Sequence, residues 1–175
     1  LSGWTTSAAT DISAMFSNLF SFNKNLSTWD VSNVVNMNYL FYNSNFNNSS
    51  ISGWDTSSVT DMSFMFFDSI YFNQNLSSWD VSNVKNMEGI FMGATAFTQD
   101  ISSWDVSNVT GMTNMLSGTS ISKSTYDNIL VSWSGLTLQS GVTIGVEGLQ
   151  YSPSPCDGGI ARTNIINNYG WTFVG

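Results

Sequence analysis

The chain has 175 residues, enough for one domain with a real core, and no apolar run approaches the ~18 residues of a membrane span. Four Lys/Arg against twelve Asp/Glu give a net charge of −8, which excludes the basic surface that nucleic acid or an anionic membrane requires. One cysteine, Cys156, and no histidine exclude an intrachain disulfide, a Cys–His nucleophile pair and a His-rich zinc site.

Only 9% of residues are charged, so solubility rests on Ser, Thr and Asn. That balance leans toward an extracellular or cell-surface β-rich protein. The chain begins at Leu1 in phase with its own repeat, without Met or a leader, and reads as a processed chain or a piece of a longer one.

Five units of 25 residues follow one another. Trp4, Trp29, Trp54, Trp79 and Trp104 form one column. Leu1, Leu26, Ile51, Leu76 and Ile101 form a second, and Ala9, Val34, Val59, Val84 and Val109 a third. Ile12, Met37, Met62, Met87 and Met112, then Phe16, Phe41, Phe66, Phe91 and Leu116, complete the set. A unit this short cannot bury an apolar face alone, so stacked neighbours must share one core. The expected fold class is an α/β repeat: a leucine-rich-repeat-like solenoid with short parallel strands on one face, helical or 3₁₀ turns on the other, and an irregular α/β C-terminal cap.

Within the second unit, residues 28–31 alternate polar and apolar, which predicts a short strand with Trp29 and Val31 facing in. Ser32-Asn33 turns the chain. Val34, Met37 and Phe41, at i, i+3 and i+7, predict one or two inward helical turns. A polar loop returns the chain, anchored by Phe22, Phe72 or Phe97; in the second unit the anchor moves back one place to Phe46, which predicts a local slip without a break in the core. The Trp and Met columns read as core rather than as a stacking platform or a metal site.

The motif Trp29-Asp30-Val31-Ser32-Asn33-Val34, continued by Met37 and Leu40-Phe41 and by a loop Phe-Asn, resembles the BspA-like leucine-rich-repeat surface proteins. More narrowly, it resembles their mycoplasma-lipoprotein branch of unknown function. The likeness covers residues 1–117, and the tail resembles the C-terminal cap of flavobacterial members. It implies a curved, often adhesive solenoid at the cell surface and supplies no catalytic residue. The first unit departs from the pattern, with Thr5 in place of Asp and Ala8-Ala9 in place of Asn-Val, as array ends commonly do.

After Leu116 the period ends, dividing the single domain into repeats at 1–117 and a cap at 118–175. Residues 122–133 predict an amphipathic helix capped by Ser122 or Ser124, with Tyr126, Ile129, Leu130 and Trp133 inward. Residues 142–146 predict a strand, Asp157 caps a second helix through Ile160, Ile165, Ile166 and Tyr169, Gly170 ends it, and residues 171–173 form a last strand. The N-terminal end, at Leu1 and Trp4, is expected to present an open sheet edge and an apolar layer, covered either by upstream residues or by another subunit.

Asp30, Asp55, Asp80 and Asp105 each follow an inward Trp and so point outward. Carboxylates stacked at the ~4.8 Å strand spacing repel one another, which something must offset. Three answers stay open: hydrogen bonds to the following turn, a bound calcium ion, or a basic or glycan partner. No catalytic or cofactor-binding residue is assigned. The partner-binding face is placed at Thr28, Asp30, Asp55, Ser78, Asp80, Ser103 and Asp105. Asn33, Ser58, Asn83 and Asn108 form a polar column read as structural, and sequons at Asn25, Asn47, Asn48, Asn75 and Asn108 are partly by-products of the repeat. Regular Thr-X-Thr is missing, so an ice-binding plane is not read. The leading function is non-catalytic protein or glycan binding in adhesion. The alternatives are a self-assembling filament or surface-layer subunit, and a carbohydrate-active enzyme using paired Asp.

Overall fold

The structure, a computed structural model, describes residues 4–175; Leu1, the first member of the Leu/Ile column and of the expected open edge, lies outside the described residues. The inward columns form one continuous core. Trp54, Val59, Met62 and Phe66 of the third unit are buried, as are their counterparts Trp79, Val84, Met87 and Phe91 in the fourth. The Phe column stacks ring on ring, with centres 5.5 Å apart for Phe16–Phe41 and Phe41–Phe66 and 5.7 Å for Phe66–Phe91. The indole N–H groups are used as well: those of Trp54, Trp79 and Trp104 donate to the carbonyls of Leu26, Ile51 and Leu76. The residue in register for Trp29 is Leu1, and Trp29 Nε1 has no partner among the described residues.

Neighbouring units are joined by backbone at residues 36–43, not at residues 28–31. Isolated parallel bridges link Asp11 to Asn36, Asn36 to Asp61, Asp61 to Asn86 and Asn86 to Gly111. Beyond each bridge, alternate N–H groups reach the next unit: Met37 to Asp61, Tyr39 to Ser63, Phe41 to Met65 and Asn43 to Phe67, at 2.6–2.9 Å. The intervening residues close turns within their own unit, Leu40 on Met37 and Tyr42 on Tyr39. The expected inward helix is therefore a run of tight turns. Left-handed residues every fourth place make this possible, because they swing alternate peptides outward. Asn18, Asn43, Asp68, Gly93 and Gly118 fill one such column, all types that tolerate positive φ.

The segment 28–31 forms no strand. Trp29 and Val31 are buried as expected, but the chain there is a bend in which Trp29 N–H donates to Leu26 C=O at 3.0 Å. The slip at Phe46 is also present: its ring sits 4.1 Å from Phe41, as Phe22 does from Phe16. The residue gained before Ile51 is taken up in a 3₁₀ turn, Ser49–Ile51, capped by Asn48.

The C-terminal region adds α1 (Lys123–Ser134), β1 (Thr143–Gly145), α2 (Asp157–Tyr169) and β2 (Thr172–Val174). Ser122 caps α1, whose buried residues are Tyr126, Ile129, Leu130 and Trp133. The N-cap of α2 is Cys156, with Asp157 inside the first turn, where a carboxylate meets the positive end of the helix. Ile160 is exposed rather than inward, because Gly158, Gly159, Ala161 and Ile165 form the face that packs. Gly170 ends the helix with φ of 67°. β1 pairs in parallel with β2 and bridges back to Met112, so the backbone pairing of the units runs on into the cap.

Candidate functional site

Thr28, Asp30, Asp55, Ser78, Asp80, Ser103 and Asp105 are all exposed and recur from unit to unit on one side of the molecule. Each Asp opens a turn. Asp30 Oδ1 accepts the Ser32 N–H at 3.1 Å and the Ser32 hydroxyl at 2.6 Å; Ser57 and Ser82 do the same for Asp55 and Asp80, and the Ser107 N–H for Asp105. The Ser32 hydroxyl, then its N–H, hold the Asp30 carboxyl below the usual carboxylate value, and Ser82 does likewise for Asp80. Turn capping thus accounts for one oxygen of each carboxylate. The other oxygen has no protein hydrogen bond among the described residues.

The carbonyl of each of these serines binds the next unit. Ser32 accepts from Ser58 Oγ, Ser57 from Asn83 Nδ2, Ser82 from Asn108 Nδ2, and Ser107 from Gln139 Nε2 of the cap. The Asn33, Ser58, Asn83 and Asn108 column is accordingly structural, and it holds the row of carboxylates in register. Ser78 and Ser103 hydroxyls brace the row in the same way, on the carbonyls of Ser52 and Ser77.

The row is not flat. Between the second and third units a cleft of about 430 Å³ opens, lined by Asp30, Asp55, Ser50, Ser52 and the edges of Trp29 and Trp54. It lies beside the 3₁₀ turn that absorbs the Phe46 slip. Among the described residues no three His, Cys, Asp or Glu side chains gather closely enough to hold a metal ion, the Asp30, Asp55, Asp80 and Asp105 row included.

A second hollow, about 480 Å³, lies between α1 and the start of α2, lined by Asp127, Asn128, Ser152, Cys156 and Asp157. Ser152 donates its N–H to Asp127 Oδ1 at 2.8 Å and its hydroxyl to Asp127 Oδ2 at 2.5 Å, while Lys123 donates to the Ser152 oxygen. These bonds tie the loop before α2 onto α1. Sequence reasoning passed over one further surface, the rings of Tyr39, Tyr42, Phe64 and Phe67 on the outer side of the ladder. Those positions show no column, since the first, fourth and fifth units carry Ala14 with Ser17, Gly89 with Met92, and Asn114 with Ser117.

Among the described residues, no helix is long and apolar enough to cross a membrane. Neither the curated proteins nor the solved structures contain a match to this chain. The 25-residue units and the start of the cap, residues 10–129, match one family model, and the chain belongs to that family, described as Mycoplasma protein of unknown function, DUF285.

Proposed function

We propose that the chain is a non-catalytic binding protein displayed outside the cell or on its surface, built as a leucine-rich-repeat-like solenoid of the BspA-like type. Residues 1–117 form the repeats and residues 118–175 the cap. The fold reading is supported by backbone bonds that repeat at one offset through every junction: Ala14 to Asn38, Tyr39 to Ser63, Phe64 to Glu88 and Gly89 to Thr113. Its ligand is a protein or a glycan, and its contact surface is the Asp30, Asp55, Asp80 and Asp105 row with Thr28, Ser78 and Ser103. The observation that carries this reading is the free oxygen on each carboxylate, held in register beside the Trp29–Trp54 cleft. Solvent-facing acceptors at a fixed spacing suit a partner with matching donors. The test is binding of the chain to intact cells and to arrays of matrix proteins and glycans. Asp55→Lys/Asp80→Lys should abolish the binding found with the parent, and undiminished binding would refute the surface assignment.

End-to-end assembly is a second reading, favoured by a specific observation. The carbonyls of Asp11, Ser13, Met15 and Ser17 correspond to those of Asn36, Asn38, Leu40 and Tyr42, which each accept an N–H from the preceding unit. In the first unit they accept none among the described residues, and Trp4 is 54% exposed where its counterparts are buried. Such an edge takes another 25-residue unit, from its own polypeptide or from a neighbour. Sedimentation at rising concentration separates these: particles that lengthen with concentration support assembly, and a constant monomer removes it.

A further inference from the structure

Two rows of aromatic rings lie on the outer side of the 37–43 bends. Tyr39 stacks on Phe64 with ring centres 5.0 Å apart, and Tyr42 on Phe67 at 4.9 Å. Across the rows, Tyr39 meets Tyr42 at 5.5 Å and Phe64 meets Phe67 at 5.9 Å. The inward residues of the same bends, Leu40, Phe41, Met65 and Phe66, are fully buried, so the four rings belong to a separate surface. The stacked planes lie within 18° and 9° of parallel, at centre distances wider than direct face-to-face contact. The rings are therefore slipped sideways rather than eclipsed, and each of the four residues keeps some exposed surface. Tyr39 is 37% exposed, and Tyr42, Phe64 and Phe67 are partly exposed.

Two acidic residues adjoin this quartet along the backbone. Asp68 follows Phe67, and Glu88 precedes Gly89, over which the Phe64 ring lies. A Cβ on Gly89 would stand 2.6 Å from Phe64 Cδ1, and one on Gly93 2.0 Å from Asp68 Oδ1, so the two glycines form the shelf that carries ring and carboxylate. Neither Asp68 nor Glu88 has a side-chain hydrogen bond or an ion pair among the described residues; Lys85, three residues before Glu88, pairs with neither.

We infer that this quartet is a docking site for a basic, arginine-bearing segment of a protein partner. Ring faces attract a cation through their quadrupole, and a planar guanidinium stacks on them while donating to a neighbouring carboxylate. Two uncompensated carboxylates repel nucleic acid and anionic glycans, and a neutral sugar leaves their charge unmatched. The inference takes the binding-protein reading as its premise and adds a surface apart from the Asp30–Asp105 row.

The probe is a labelled hexa-arginine peptide, followed by fluorescence anisotropy at low and high salt. The parent chain should bind it, less tightly as salt rises. Tyr39→Leu/Phe67→Leu, which keeps apolar bulk and removes two ring faces, should weaken binding roughly tenfold at an unchanged circular dichroism spectrum. Asp68→Asn/Glu88→Gln should weaken it comparably, while Glu147→Gln/Asp157→Asn, at two exposed carboxylates of the C-terminal region with the same change in net charge, should leave it intact. Equal loss from both carboxylate pairs would mean general attraction to an acidic protein and would overturn the site. So would no binding by the parent, or full binding by the ring variant. Should the ring variant fail to fold, the two carboxylate pairs, all exposed or partly exposed, decide the matter. Failure here leaves the Asp-row reading standing, because that reading is judged by Asp55→Lys/Asp80→Lys on its own targets.

Discussion

Replacing Gly145 by Ala tests whether the cap is welded to the fifth unit. Gly145 lies in β1, and a Cβ there would stand 2.3 Å from Asn114 Cα and 2.4 Å from Asn114 N. Both are backbone atoms, so no side chain can swing aside, and β1 must move away. That movement opens the bonds at the junction: Leu116 N–H to Gly145 C=O at 3.0 Å, Gly145 N–H to Met112 C=O at 3.3 Å and Gly118 N–H to Glu147 C=O at 3.0 Å. Three backbone hydrogen bonds at about 1 kcal/mol each, with about 1–2 kcal/mol for residual crowding, give a loss of about 4 kcal/mol. For a chain of this length that lowers Tm by about 10 °C. The assay is urea and thermal unfolding followed by circular dichroism, with Gly53→Ala as control, since a Cβ on Gly53 meets nothing within 4 Å. Because stability in stacked units is a sum of neighbour terms, the cap should open before the repeats, and the single transition should broaden. A Gly145→Ala protein within about 0.5 kcal/mol of the parent would show that β1 is not held against Asn114, and the continuity of the ladder would fall with it.

The Asp row predicts an acid sensitivity with a fixed sign. Ser32 and Ser82 hold Asp30 and Asp80 below the ordinary carboxylate value of 3.8, so their stabilisation is full above that value and is lost as pH falls through the folded one. Asp80→Asn should flatten the fall of Tm on the acid side of the ordinary carboxylate value; an unchanged acid limb would show that the Ser82 bonds do not hold in solution. Calcium and EDTA should leave Tm where it is, because no cluster of ligands gathers on the row; a rise with calcium would restore the cation reading. Tyr126→Phe should stabilise the cap by about 1 kcal/mol, since the Tyr126 hydroxyl is buried without a partner among the described residues, and burial pushes its pKa up. A loss of that size instead would reveal a bonding partner.

The inward columns were legible because a shared core leaves little choice. Trp54 touches the counterpart of itself, so a smaller residue would open a void against Trp79, whose ring centre is 6.3 Å away. The one-place shift of the loop anchor to Phe46, with Asn47 in the usual position of the ring, was legible for the same reason, since only a ring satisfies Phe41. The cap at Gly170 was legible, where one residue type meets one backbone need, while the start of α1 was legible only to Ser122 or Ser124, of which Ser122 is the cap. The strand expected at residues 28–31 was not borne by the backbone, because four alternating residues fit an inward bend as well as a strand. The true ladder had a signal that periodicity of apolar residues misses: Asn18, Asn43, Asp68, Gly93 and Gly118, a column of types suited to positive φ. Cys156 displaced Asp157 from the cap of α2 because the side chain gives no bond there, so residue type carried no information. The aromatic quartet escaped because outward positions answer to no neighbour in the core.

The first unit supplies a comparison that bears on the Asp row. Thr5 stands where the later units have Asp, and the turn that follows still closes: Ala9 N–H donates to Thr6 C=O at 2.8 Å, against 2.9 Å for Val34 on Val31. The backbone therefore makes this turn without a carboxylate. An uncharged Ser, Thr or Asn would also avoid placing like charges at the same position of successive units, Asp30, Asp55, Asp80 and Asp105. What Asp adds over Thr is a second oxygen facing water, which no hydrogen bond among the described residues uses. Asp55→Thr should on this ground keep the parent's stability while weakening ligand binding, and a variant that lost stability in proportion would return the row to the role of a turn cap.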